Sequence, residues 1–72
     1  MTLKGVRESL GLSQIELDRR SKLPRGTVGD IENARNQNPS ISVCMAIAEA
    51  LRRAGAKGVA VEQLFAQEVK SA

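Results

Sequence analysis

Five basic side chains, Arg19, Arg20, Lys22, Arg25 and Arg35, stand between positions 19 and 35 against only two carboxylates, Asp30 and Glu32. That stretch carries +3, the whole formal net charge of the chain. A cluster of this kind is suited to holding phosphates. The total alone says less, since 11 Lys and Arg against 8 Asp and Glu is ordinary for a small domain. Catalysis has little to work with. There is no histidine, and the carboxylates Glu8, Glu16, Asp18, Asp30, Glu32, Glu49, Glu62 and Glu68 form no evident acid-base or metal set. Cys44 falls on an apolar stripe with no base to activate it. An enzyme is therefore not expected, nor any cofactor. One cysteine without histidine cannot assemble a structural zinc site, nor can it close an internal disulfide. Phe65 is the only aromatic residue, which excludes stacking on bases as a main binding mode.

Helices have to position these side chains, because the apolar spacing points to helices throughout and to strands nowhere. Seventy-two residues make one domain, since a separate core takes roughly 50 residues or more. Folding hides only about 60% of the unfolded surface at this size, so the aliphatic core needs idealised packing or completion by a second copy. Leu3, Val6 and Leu10 mark helix 1, with Thr2 as its N-cap and Gly11 as its stop. Ser13-Gln14-Ile15-Glu16 is a capping box that opens a two-turn helix 2, to about Ser21, and Leu12 ahead of it can staple onto Leu17. Leu23-Pro24 ends that helix, and helix 3 is expected from about Pro24 or Arg25 to Asn33, with Val28 and Ile31 inward. A polar loop follows from Ala34 to Pro39. Ser40 caps helix 4, whose stripe is Ile41, Cys44, Ile47, Ala48 and Leu51, with Arg52 and Arg53 at its negative end. Helix 5, over about 60–70, carries Val61, Leu64, Phe65 and Val69 on one face.

Two short helices joined by a tight turn are the parts of a helix-turn-helix, here over about 14–33. The second must be short enough to lie in a major groove about 12 Å wide and must be braced by the first. The residues Leu12-Ser13-Gln14-Ile15-Glu16-Leu17 and Leu23-Pro24-Arg25-Gly26-Thr27-Val28-Gly29-Asp30-Ile31-Glu32-Asn33 resemble the DNA-binding domain of the phage repressor and Cro family. The resemblance continues through Asn38-Pro39-Ser40-Ile41, Ala46 to Leu51, and Val61-Glu62-Gln63-Leu64-Phe65. It implies an all-α, five-helix domain spanning residues 1–72.

The resemblance also implies roles. Gln14 falls where the family uses a glutamine to hold a phosphate, Ser13 beside it can donate to the same phosphate, and Arg35, Asn36, Gln37 and Asn38 fall in a loop that meets the backbone of double-stranded DNA. Arg25, Gly26, Thr27 and Asp30 fall on the base-reading front of helix 3. Arg25 suits the O6 and N7 of guanine, and Asp30 suits a cytosine amino group. Gly26 and Gly29, read as helix-interior glycines, would let the backbone approach the groove. Arg7 and Glu32 match an ion pair between helices 1 and 3. Two positions depart from the pattern. Asp18 stands where the family usually has alanine, so its carboxylate is expected to point outward or pair with Lys22, which itself stands where a glycine-like turn residue is usual. The link from Leu51 to Leu64 is also long, implying an extended helix 4 or an enlarged loop.

Val59, Val61, Leu64 and Phe65 exceed what one helix needs to close a small core and are expected to form a homodimer contact. No apolar run reaches the roughly 18 residues of a membrane span, and a cytoplasmic location is expected. The implied function is a sequence-specific transcriptional regulator, most simply a repressor bound as a homodimer to a pseudo-palindromic operator. The alternative on the same fold is a protein-binding module, such as an antitoxin or anti-activator, with weak DNA binding.

Overall fold

The structure is a computed structural model and describes residues 2–35, 39–56 and Leu64. Four helices and no strands occur among the described residues: α1 (Leu3–Ser9), α2 (Gln14–Arg20), α3 (Thr27–Glu32) and α4 (Ile41–Arg53). The fifth helix expected over about 60–70 lies outside the described residues except for Leu64. No helix among them is long and apolar enough to cross a membrane.

Helix starts follow the side chains that can satisfy free N–H groups. Thr2 accepts from the Gly5 N–H at 3.0 Å. Ser13 and Glu16 form the reciprocal capping box, and Ser40 accepts from the Val43 N–H at 3.2 Å. α3 is the exception, because its N-cap, Gly26, has no side chain to offer.

All four helices end in one manner. The residue after the C-cap takes positive φ, and the next N–H reaches back to a carbonyl of the last turn. Gly11 and Gly55 do this for α1 and α4, but Lys22 (φ 58°) and Ala34 (φ 61°) do it for α2 and α3. The N–H of Leu23 meets the Asp18 carbonyl at 2.9 Å, and that of Arg35 meets the Asp30 carbonyl at 2.8 Å. Lysine and alanine accept a left-handed conformation here at a cost of about 1–2 kcal/mol each. α4 closes at Gly55 in this way rather than extending by a turn.

α2 packs against both α3 and α4, and the core lies between them. Leu17, Val28, Cys44, Ile47, Ala48 and Leu51 are fully buried, with Leu3, Leu12, Ile31 and Leu64 almost so. Leu64, expected at a dimer contact, thus packs in this chain's own core. Ile41, placed on the inward stripe of helix 4, is instead exposed, as is Met45 one turn later. The inward face begins at Cys44, one turn past the cap.

Candidate functional site

Helix α3 is only six residues long, too short to hold its shape alone. Its position is set at both ends by side chains from α1 and α2.

At its front, Gly26 has φ 98° and ψ −9°, the conformation of the third residue of a type II turn. The Pro24 carbonyl accepts from the Thr27 N–H at 3.2 Å and from the Thr27 hydroxyl at 2.7 Å. Helix α3 therefore starts at Thr27 rather than at Pro24 or Arg25. Gly26 is accordingly not a helix-interior glycine, and its lack of a side chain answers first to a left-handed backbone. Nothing lies within 4 Å of where its Cβ would stand, so its surface is open.

Asp18 corrects the sequence expectation most sharply. Its residue is 2% exposed, and its carboxylate neither points to solvent nor pairs with Lys22. One oxygen accepts from the Gly26 N–H at 2.8 Å and the other from the Val28 N–H at 2.8 Å. The first turn of any helix leaves N–H groups unpaired. With glycine at the cap, α2 supplies the missing acceptor. The sequence carried no local signal for this, since Gly26 becomes the cap only through its positive φ.

The back of α3 is held by Glu32. Arg7 meets this carboxylate with two parallel bonds, Nε to Oε2 at 2.8 Å and Nη2 to Oε1 at 2.9 Å. The side chains are 8% and 4% exposed. Arg7 also donates from Nη1 to the Leu12 carbonyl at 2.8 Å, and the Gln14 amide donates to Glu32 Oε1 at 2.9 Å. One carboxylate thus ties α1, the α1–α2 turn and α2 to α3. Burial by itself would push the Glu32 carboxyl up, but the hydrogen bonds from Arg7 and Gln14, together with the positive charges of Arg7 and Lys4, reverse this and hold it below its ordinary value. The bond to Glu32 likewise pushes the Arg7 guanidinium up, against its own desolvation.

Gly29 faces Gln14 of α2. A Cβ there would stand 3.1 Å from Gln14 Oε1. Its missing side chain therefore makes room for Gln14, a different role from the groove approach expected of it.

The outer face contrasts with this framework. Arg25 is exposed and borders a shallow hollow together with Ile15, Asp18, Arg19 and Leu23. Among the described residues no carboxylate pairs with Arg19, Arg20, Lys22 or Arg25. Thr27 is half-buried. Asp30 lies 3.6 Å from Arg35, with side chains 51% and 75% exposed. Ser13 is exposed with its hydroxyl oxygen in the capping box. Asn36, Gln37 and Asn38 lie outside the described residues, as do Val59, Val61 and Phe65.

Ser13, Gln14, Arg25, Gly26, Thr27, Asp30 and Arg35 thus lie on α2, α3 and their flanks, with the buried Arg7–Glu32 pair tying α1 to the end of α3. No group of three or more Cys, Asp or Glu side chains among the described residues could hold a metal ion. A helix-turn-helix family model matches residues 3–55. No curated protein and no solved structure matched the chain.

Proposed function

Because the chain belongs to the helix-turn-helix family of the Cro and repressor type, whose members are DNA-binding transcription regulators, we propose that it reads a specific double-stranded operator through the major groove and represses transcription there. The observation that carries this reading is Arg25. It is an exposed guanidinium without an ion-pair partner among the described residues, set one residue before the capped start of a helix braced at both ends. A planar fork in that place suits the paired acceptors of guanine.

Thr27 and Asp30 would share the base-reading face, with the open backbone of Gly26 beside them. Asp30 accepts from a cytosine amino group once Arg35 turns to the sugar-phosphate backbone. Ser13 retains its hydroxyl proton, and Gln14 retains a second amide N–H beyond the one given to Glu32, so both can donate to phosphate. Arg35 and the loop residues Asn36, Gln37 and Asn38 extend that footprint. A single copy reads about half a turn of DNA. We place a homodimer on a pseudo-palindromic site, joined through C-terminal residues that include Val59, Val61 and Phe65.

The test is a salt titration of binding to random duplex and to duplex selected from a random library. The expected result is a falling log affinity with log salt, with selected duplex bound at least a hundredfold tighter. A flat salt response, or no enrichment of any sequence, would remove this reading and favour the protein-binding alternative.

A further inference from the structure

The framework that braces α3 contains one buried carboxylate. Asp18 is 2% exposed, and no Arg or Lys pairs with it among the described residues. Removing a carboxylate from water is costly, and an apolar side chain of similar size would avoid that cost only by leaving two N–H groups of the α3 turn without an acceptor. Its two oxygens are committed to the Gly26 and Val28 N–H groups, each at 2.8 Å. These amides flank Thr27, and the first of them directly follows Arg25; Arg25 and Thr27 are the two side chains at the front of the proposed reading face. We propose that Asp18 is a positioning residue for sequence discrimination, touching no DNA itself.

Two physical effects follow from this geometry. The bidentate clamp fixes the turn that aims Arg25 and Thr27, so the guanidinium meets a base edge without first ordering its backbone. The same carboxylate occupies N–H groups at the front of α3 and places negative charge behind them. Phosphates, which are identical in every sequence, are thereby discouraged from docking at that helix end. Asp18 thus favours the selective contact and disfavours the unselective one.

This inference rests on the DNA-reading function proposed above. It is tested by measuring the affinities of the wild-type chain, Asp18→Ala and Asp18→Asn for two probes. One is the duplex that wild type enriches from a random library, and the other is the unselected random duplex. The quantity read is the ratio of the two affinities. A merely structural loss lowers the folded fraction, and with it both affinities by one factor, leaving the ratio intact. We expect Asp18→Ala to lower the ratio about tenfold, within what one base pair is worth, with the random duplex bound as well as or better than before. Asp18→Asn, which keeps one acceptor for Val28 but turns an amide toward the Gly26 N–H, should fall between. An unchanged ratio in folded variants would overturn the role of Asp18. A wild-type chain that enriches no duplex would instead overturn the DNA-reading function on which it rests. Should both variants unfold, amide exchange in wild type decides: Gly26 and Val28 must be among the protected amides of the α2–α3 region, and rapid exchange at both would sink the clamp.

Discussion

Helix α3 carries two acid–arginine pairs only two residues apart, and they behave as opposites. Glu32 and Arg7 meet at 2.8 Å with side chains 4% and 8% exposed. Asp30 and Arg35 meet at 3.6 Å with side chains 51% and 75% exposed. The first pair is desolvated, doubly bonded and supported by Gln14, so removing one member strands a buried charge. The second is solvated and loosely aligned, so either partner can leave it at little cost. The lesson is that formal charge does not sort structure from function on this helix. Burial does, and α3 places its fixed pair inward and its exchangeable pair on the face proposed to meet DNA.

The widest gap should appear on breaking the inner pair. Glu32→Ala or Arg7→Ala is expected to cost about 3–5 kcal/mol, read as a lowered midpoint in urea denaturation, with DNA binding lost in step. The acid response follows from the same site. The Glu32 carboxyl is held below its ordinary value of 4.5, so its contribution is complete above that pH and drains away as pH falls through the folded-state value. The stability difference between wild type and Glu32→Gln should therefore narrow on acidification from about pH 6 to about pH 3. A gap that stayed constant would mean that Glu32 titrates alike in the folded and unfolded chain.

Arg25→Ala tests the outer face by a different observable. It should cost about 1–3 kcal/mol in binding to selected duplex and relax the preference at one base position, with the denaturation midpoint unmoved. Loss of stability instead of selectivity would place Arg25 with the framework.

Ala34 sits between the two classes, since its left-handed turn closes α3 and brings the Arg35 N–H to the Asp30 carbonyl. Ala34→Gly should raise stability by about 0.5–1 kcal/mol, the relieved strain being partly offset by unfolded-state entropy. The smallest effect is expected for Asp30→Ala, within about 0.5 kcal/mol of wild type in denaturation, while its operator preference changes. A large destabilisation there would erase the contrast between the pairs.

What could be read from the sequence was whatever depends on neighbours along the chain. The caps at Thr2, Ser13 with Glu16, and Ser40 each involve residues three apart, and the stop at Gly11 advertises its backbone. Cys44, Ile47, Ala48 and Leu51 repeat at helical spacing and lie inward as expected. Less legible were features set by long-range partners. Asp18 looked like a surface residue because its acceptors' partners, Gly26 and Val28, sit on another helix. Pro24 looked like a first helical residue because nothing local reveals that Gly26 adopts positive φ. Ala34 gave no sign of a left-handed turn, since alanine rarely adopts one. Ile41 kept the helical period yet faces out, because a stripe does not say where the neighbouring layer ends.

Gly26 offers no side chain to a base, so only Arg25, Thr27 and Asp30 remain on the proposed reading face to distinguish bases directly. Each fully read base pair conveys about 2 bits, so one copy conveys about 6, whereas a site unique among about a million competing positions needs about 20. Three letters cannot address a genome. A chain built this way gains its selectivity by repetition along the operator and by the sequence-dependent shape of the DNA between the contacts, rather than by a richer vocabulary on the helix itself.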